Sequence, residues 1–213
     1  MTNMSNETAF TIDTSSIKFG PGITSEAGYE LSRLGATRVL VVTDPQLANS
    51  PAVQTAIDSL KKANIDYAVF DQVSVEPTDS SLKQAIKFAV EGKFDGFLPV
   101  GGGSSIDTAK AANLYSTYPA EFLEYVNAPI GKGTPVPGDL KPLVAVPTTA
   151  GTGSETTGVA IFDYEELGAK TGIAHRSLRP DVGLVDPENT RSLPKMVAAC
   201  SGFDVLSHGI ESY

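Results

Sequence analysis

The sequence predicts an α/β fold, with a Rossmann-like, mostly parallel sheet flanked by helices and followed by the start of an all-helical domain. Short β-branched runs alternate with longer helical patterns, which is typical of βαβ units with right-handed crossovers. Two of the runs end in loops rich in glycine and hydroxyl residues, and parallel sheets bind ligands beyond the carboxyl ends of their strands. After about residue 190 the pattern is helical only.

The hydrophobic period assigns each element in order. Apolar runs predict strands at residues 15–20, 38–43, 66–70, 96–100, 143–146 and 158–162. Helical spacing predicts helices at 24–34, 50–63, 79–91 and 104–114, the first capped by Thr24 and ended at Gly35. The segment 127–140, rich in Pro and Gly, is expected on the surface. We therefore divide the chain into an α/β domain over residues 1–190 and the beginning of a helical domain over 191–213.

Composition and charge exclude several classes of function. The 213 residues are 41% hydrophobic and 19% charged, which is ordinary for a globular protein. A net charge of −9 argues against a nucleic acid partner, because phosphate binding requires a basic face. No run approaches 18 apolar residues, so no membrane span is expected. The single cysteine, Cys200, excludes an intrachain disulfide and a cysteine zinc site, and we expect it to be buried as a small hydrophobe.

The two ends of the chain give weaker expectations. Residues 1–10 are polar, with one acidic residue and no Lys or Arg, so they fit neither a secretory signal nor an Arg-rich transit peptide. The cytoplasm of a bacterium is the default expectation. The last residues, SHGIESY, follow a helical pattern without a stop signal, so we expect the natural chain to continue.

The glycine turn GGGSSIDTAK (101–110) follows an apolar strand and begins a helix. Its glycines allow the backbone to approach a pyrophosphate, and the free amides and dipole of a helix start favour negative charge. The Ser104 hydroxyl can add a donor. The turn matches neither G-x-G-x-x-G nor a P-loop. A tight strand-to-helix turn with a serine cap is the alternative.

A second loop, VPTTAGTGSETT (146–157), places six hydroxyl side chains and two glycines after another apolar strand. Because the carboxyl ends of parallel strands meet at one edge, we expect this loop to lie beside the glycine turn. Hydroxyls bind ribose and phosphate without adding charge. A capped helix start at 152–155 is the alternative.

Three further residues are candidates for ligand binding. Asp44 follows the strand 38–43, where a carboxylate can accept from a ribose 2′-hydroxyl and repel a 2′-phosphate, favouring NAD over NADP; a turn role before Pro45 is equally consistent. Asp204 and His208 are four apart on one helix face and suit Fe(II) or Zn(II), although they can also form a simple hydrogen bond. Two ligands do not close a metal site. His175 lies in a polar stretch and is expected to be exposed and non-catalytic.

The combination resembles the iron-containing (group III) alcohol dehydrogenases, over nearly the whole chain from about Ser15. The matching segments are VLVVTD (39–44), GGGSSIDTAK (101–110), LVAVPTTAGTGSE (143–155), GLVDPENTRSLP (183–194) and GFDVLSHGIESY (202–213). The resemblance implies NAD and Fe(II), sometimes Zn(II), as cofactors. It also implies small alcohols or hydroxy acids and oxo acids as substrates. A homodimer remains open.

The resemblance also implies roles for the matching positions. The residues that would bind the dinucleotide are Asp44, Gly102, Gly103, Ser104, Asp107, Thr148, Thr149, Thr152, Thr157, Lys170 and Leu184. The glycine turn would hold the pyrophosphate with Asp107 close by, Asp44 the adenine ribose, and Leu184 would pack near the adenine. The four threonines would line the phosphates and nicotinamide ribose, which Lys170 would reach. Asp204 and His208 would be the first two metal ligands, with the other two beyond residue 213.

Within that family, the sequence at residues 76–86, 110–115, 128–133 and 150–165 is most similar to one branch. Enzymes of this branch pass hydride from 4-hydroxybutyrate to 2-oxoglutarate. The products are succinate semialdehyde and 2-hydroxyglutarate, and the nicotinamide stays bound. The resemblance implies that the metal acts as a Lewis acid on the alcohol, without a side chain as general base. An ordinary NAD-dependent dehydrogenase of short alcohols or diols is the second hypothesis. A nucleotide-binding module without catalysis is the third.

Overall fold

The computed structural model describes residues 14–212, so the expectation about targeting signals in residues 1–10 lies outside the described residues. The strands are β1 (Ser16–Phe19), β2 (Arg38–Val42), β3 (Asp66–Phe70), β4 (Gly96–Gly101), β5 (Val144–Pro147), β6 (Val159–Tyr164), β7 (Ala169–Ala174) and β8 (Val182–Val185). The helices are α1 (Ala27–Arg33), α2 (Pro51–Lys62), α3 (Asp79–Gly92), α4 (Gly103–Thr117) and α5 (Lys195–Glu211). Short 3-10 helices cover Ile23–Glu26, Arg176–Leu178 and Pro187–Thr190.

A six-stranded sheet runs in the order β1-β8-β5-β4-β2-β3, and every pairing in it is parallel. This confirms the predicted α/β class. The chain leaves β2 through α2 to β3 on one side, then returns through α3 to β4 on the other side of β2. Ligands of such sheets bind where the strand order reverses. The crevice between the carboxyl ends of β2 and β4 is therefore the expected position of a ligand.

Helices cover both faces of the sheet because the side chains of its central strands are apolar on both faces. On β2, Val39 and Val41 face a cluster built with α1 and α2, whereas Leu40 and Val42 face one built with α3 and α4. A third cluster packs the β6–β7 hairpin against the far side of α4. Helix α4 is therefore buried on nearly all sides from Ser105 to Tyr115, directly after the glycine turn.

Two features of the fold differ from the expectations. Strands β7 and β8 were not predicted, because Gly172 and Gly183 interrupt their short apolar runs. Thr24 does not cap the first helix, which instead begins as the 3-10 helix Ile23–Glu26 with Gly22 before it. The Thr24 hydroxyl is buried and donates to Asp186, so a contact distant in sequence replaces the predicted cap.

Helix α5 continues to Glu211, as the helical pattern at the end of the chain predicts, but it has no buried residue. Met196, Phe203, Leu206 and Ile210 are all exposed. The expectation that Cys200 is buried is wrong, because nothing in residues 14–212 covers this face of the helix. No helix in the same range is both long and apolar enough to cross a membrane. The domain boundary at residue 190 stays a prediction.

Candidate functional site

The glycine turn joins the end of β4 to the start of α4 at the crevice. Gly102 is the N-cap residue of α4, and no side chain caps the helix, so the suggested serine cap is absent. A Cβ atom on Gly101 would lie 2.7 Å from the Cβ of buried Ser105, which explains this glycine by packing alone. The Ser104 hydroxyl accepts a hydrogen bond from the amide of Glu76 at 3.3 Å. The helix start thus offers backbone donors to an anion.

The threonine loop, residues 148–157, lies directly against the glycine turn, as predicted. The amide of Thr148 donates to the carbonyl of Gly101 at 3.0 Å. A Cβ atom on Gly103 would lie 2.9 Å from both Oγ1 and Cγ2 of Thr152, so the two loops approach each other closely there. Residues 151–156 form bends and turns, and the alternative of a helix start at 152–155 is not observed.

Asp44 lies at the carboxyl end of β2, on the other side of the crevice. Its Oδ1 accepts from the amides of Gln46 at 2.8 Å and Leu47 at 3.1 Å, so the turn role is present. These two hydrogen bonds fix the orientation of the Asp44 carboxylate, and this is compatible with the other predicted role, which is a hydrogen bond to a ribose. A cleft of about 150 Å³ begins beside this turn, lined among others by Leu47, Thr148 and Asn189. Asn189 was missed because only the folded chain brings residues 187–192 to the same cleft as Leu47.

The β6–β7 hairpin brings Lys170 toward the start of α4. Its Nζ lies 3.7 Å from Oε2 of Glu76 and 3.8 Å from Oδ1 of Asp163. Because the Glu76 amide also donates to Ser104, Lys170 stands near the glycine turn, with a side chain that is 57% exposed and available to a ligand. Leu184, in contrast, is 0% exposed and packs in the core between the sheet and α1. Its contact with an adenine stays a prediction that this burial does not favour.

Asp107 and Lys110 form a buried ion pair on α4, with Oδ1 and Nζ 3.6 Å apart. Burial raises the pKa of Asp107, and the neighbouring Lys110 charge offsets this only partly. Burial likewise lowers the pKa of Lys110 to about 8. The role of Lys110 was missed, although an Asp and a Lys three apart in a helix otherwise made of small and apolar residues is a signal for such a pair.

The two metal candidates lie on α5, with Nε2 of His208 3.6 Å from Oδ1 of Asp204. A Cβ atom on Gly151 would lie 3.2 Å from Oδ2 of Asp204, so this pair stands next to the threonine loop. Within residues 14–212, no group of three or more metal-ligating side chains comes together. His175 is half-buried rather than exposed, and its Nδ1 accepts from the amide of Ser177, a structural role.

A larger cleft, of about 330 Å³, lies at the opposite edge of the sheet. Its lining includes Ser15, Leu143 and Asp181, which directly precede β1, β5 and β8. Parallel sheets bind their ligands at the carboxyl edge, so size alone does not identify the functional site. The glycine turn, the threonine loop and Asp44 all lie at that carboxyl edge.

Comparison with known proteins agrees with this geometry. The family model described as iron-containing alcohol dehydrogenase matches residues 14–187, and the chain belongs to this family. It is 59% identical over 206 residues to the hydroxyacid-oxoacid transhydrogenase of Bos taurus, covering 96% of this chain and 44% of that protein. The hydroxyacid-oxoacid transhydrogenase of Homo sapiens is 56% identical, again over 96% of this chain and 44% of that protein. The chain thus spans less than half the length of these curated relatives.

A solved structure gives the same picture. The sulfoacetaldehyde reductase of Bifidobacterium kashiwanohense in complex with NAD+ superposes with a TM-score of 0.85 at 30% identity, over 96% of this chain and 54% of that one. The comparison confirms the fold and family expected from the sequence motifs. Iron is in the name of the family, and NAD+ is a ligand of this relative.

The expectation of a bacterial cytoplasm is wrong. The transhydrogenases of Bos taurus and Homo sapiens, at 56–59% identity, are both named as mitochondrial proteins. The default rested on the absence of a recognisable targeting pattern in residues 1–10, and such an absence is weaker evidence than close similarity over most of the chain.

Proposed function

We propose that this chain is the dinucleotide-binding part of a metal-dependent oxidoreductase. The enzyme would transfer hydride between a small hydroxy acid or alcohol and an oxo acid or aldehyde, with 4-hydroxybutyrate and 2-oxoglutarate as the substrates suggested by the transhydrogenase relatives. The observation that carries the proposal is the uncapped start of α4, which meets a hydroxyl-rich loop where the strand order reverses. The same relatives favour a mitochondrial location.

The glycine turn fits a pyrophosphate. The backbone amides at the start of α4 are the donors, and the helix dipole adds to their attraction for negative charge. A Cβ atom on Gly102 would lie 3.5 Å from the Thr149 side chain, so it would fill the space between the two loops. Glycine leaves that space open to a phosphate. Ser104 and Asp107 would support this end from α4, and Asp44 would accept from the adenine ribose.

The other loop suits the nicotinamide end of the dinucleotide. Thr148, Thr149 and Thr152 place uncharged donors and acceptors beside the pyrophosphate position, and Thr157 ends the same loop. Lys170 adds a flexible cation from the hairpin. These groups would bind and orient the nicotinamide end of the dinucleotide, which would supply or accept the hydride when bound.

Asp204 and His208 would hold the metal. A carboxylate and an imidazole four residues apart on one helix face fit two positions of an Fe(II) or Zn(II) site. When bound, a divalent metal supplies Lewis-acid polarisation of the substrate oxygen. The short distance between Gly151 and the Asp204 carboxylate supports this placement, because the ligand pair lies next to the proposed nicotinamide end.

A second candidate is a nucleotide-binding module without catalysis. The observation that favours it is that no group of three metal-ligating side chains comes together within residues 14–212. The two candidates share the dinucleotide site and differ in the chemistry that follows.

Titration of the protein with NADH and NADPH, followed by nicotinamide fluorescence, tests the shared site. We expect NADH to bind more tightly, and Asp44→Ala to remove the preference because the charge that repels a 2′-phosphate is lost. Turnover of 4-hydroxybutyrate only when 2-oxoglutarate is present would support the transhydrogenase. Steady NADH release with an alcohol alone would contradict it. NADH binding without turnover under either condition would support the module.

A further inference from the structure

The buried pair on α4 is bonded to the part of the chain that follows the threonine loop. Lys110 is 0% exposed, and its Nζ donates to the carbonyl of Val159 at 2.8 Å and to Oγ1 of Thr157 at 3.2 Å. Oδ2 of Asp107 accepts from the amide of Ile161 at 3.0 Å. Two neighbouring side chains therefore fix the end of the threonine loop and the beginning of β6 to a single helix.

Stability alone does not explain the burial of these charges. A buried ion pair loses its hydration, and replacing such a pair with apolar residues of similar volume is often neutral or stabilising. The lowered pKa of Lys110 records that loss, because burial is its largest cause. Hydrogen bonds are directional and an apolar pair cannot form them. Three hydrogen bonds, two from Lys110 and one to Asp107, set the distance between α4 and the chain at 157–161.

We propose that Lys110 and Asp107 are positioning residues for the nicotinamide end of the bound dinucleotide. They hold the threonine loop and the β6–β7 hairpin at a fixed distance from the glycine turn, which begins the same helix. Lys170 pairs with Asp163 across that hairpin, so its position depends on the same link. The inference rests on the dinucleotide site proposed above, and it assigns Asp107 to the support of the site rather than to contact with the pyrophosphate.

The bonds of Lys110 and Asp107 should affect only one half of the dinucleotide site. The adenine half would lie between Asp44 and the turn at 187–192, which the pair on α4 does not touch. The nicotinamide half would lie along the threonine loop, which the pair holds. Disturbing the pair should therefore weaken binding of NADH and leave AMP, which lacks the nicotinamide half, unaffected.

The link also responds to pH in a defined direction. Asp107 on α4 and Glu155 in the threonine loop are the charged groups that act on Lys110, whereas β6 faces it with the Val159 carbonyl. Both carboxylates raise its pKa, and burial lowers it to about 8. Above that pH the lysine loses a donor hydrogen and leaves Asp107 without a counter-charge. NADH affinity should therefore fall as pH rises through about 8.

The test measures dissociation constants for NADH and AMP at about four pH values between roughly 6.5 and 9. Thermal unfolding is measured on the same samples. Lys110→Met keeps an unbranched side chain that is one atom shorter, and it removes the donors and the charge. We expect the NADH dissociation constant to rise by about tenfold, with AMP affinity unchanged and the pH step absent. Lys87→Met, at an exposed site on α3, is the matched control and should change none of these values.

Asp107→Asn is a second variant of nearly the same shape, for the case in which Lys110→Met does not fold. It removes a charge that raises the pKa of Lys110, so the pH step in NADH affinity should move to lower pH. Equal loss of NADH and AMP affinity, or an unmoved step, would overturn the inference and indicate a merely structural pair. If the unsubstituted protein binds neither NADH nor AMP, the proposed function itself fails, and the inference fails with it.

Discussion

The hydroxyl of Thr24 donates to Oδ2 of Asp186 at 2.8 Å and joins the turn after β1 to the turn after β8. Asp186 is 4% exposed and also accepts from the amides of Gly22 at 3.0 Å, Thr24 at 3.2 Å and Glu188 at 3.1 Å. Burial alone raises its pKa, but the hydrogen bonds outweigh burial and hold the pKa of Asp186 below its usual range. One carboxylate thus organises both sides of the smaller cleft.

Asp186→Asn should lower the free energy of unfolding by about 2 kcal/mol, because amides that now donate to a carboxylate lose part of their partner inside the protein. Urea unfolding followed by circular dichroism measures the change. Glu188→Gln is the control, since the Glu188 side chain is 50% exposed and its ion pair with Arg191 spans 3.7 Å. Equal destabilisation by both substitutions would show that the buried network has no special role.

The contribution of Asp186 to stability should depend on pH. Its pKa in the folded protein lies below the ordinary value of 3.8, so the folded state favours the charged form. The contribution is fully present above the unfolded pKa and is lost as pH falls through the folded pKa. The difference in unfolding free energy between the protein and Asp186→Asn should therefore shrink below about pH 4. If the difference in unfolding free energy stayed constant from neutral pH to about pH 3, this prediction would be contradicted.

The strands and helices that the sequence predicted share one property, which is that their signal is local. The run at 38–43 and the spacing at 79–91 each have a strong hydrophobic period, and both elements form as expected. Thr24 fails as a helix cap because Asp186, a residue 162 positions away, competes for its hydroxyl. Strand β8 is missed because Gly183 weakens its pattern and only the neighbouring strands stabilise it.

The same distinction applies to the candidate site. The glycine turn and the threonine loop were expected side by side because parallel strands place their carboxyl ends at one edge, and the contact between Gly103 and Thr152 bears this out. The bonds from Lys110 to Thr157 and Val159 depend on how a hairpin packs against α4, which no local pattern encodes. Ligand contacts of the individual site residues stay predictions.

Gly101→Ala and Gly103→Ala should have different effects. A Cβ atom on Gly101 would press against buried Ser105, so we expect a loss of about 2 kcal/mol in stability. On Gly103 it would meet Thr152, whose exposed side chain can move, so stability should change little while NADH affinity falls as the loop shifts. Thermal unfolding and NADH titration separate the two effects. Gly20→Ala is the control, because a Cβ atom there has no neighbour within 4 Å.

Removal of His208 should affect metal binding and leave the dinucleotide site intact. We expect His208→Ala to abolish the weak binding of Zn(II) that two ligands allow, because only one of the two proposed ligands remains. Titration calorimetry with Zn(II) measures this, and NADH affinity should be unchanged. His175→Ala removes the other histidine, which accepts from Ser177, and should leave Zn(II) binding as it was. Equal loss in both variants would contradict the assignment of the metal to α5.

Helices α4 and α5 should differ in local stability, because one is buried and the other is exposed. Helix α4 is locked in the core, whereas α5 has no buried residue and carries Gly202 and Gly209, each of which costs about 1 kcal/mol relative to alanine in a helix. Its amides should exchange with deuterium far sooner than those of α4. We therefore expect the glycine turn to keep its conformation without a ligand, whereas the face of α5 that carries Asp204 and His208 should open locally far more often.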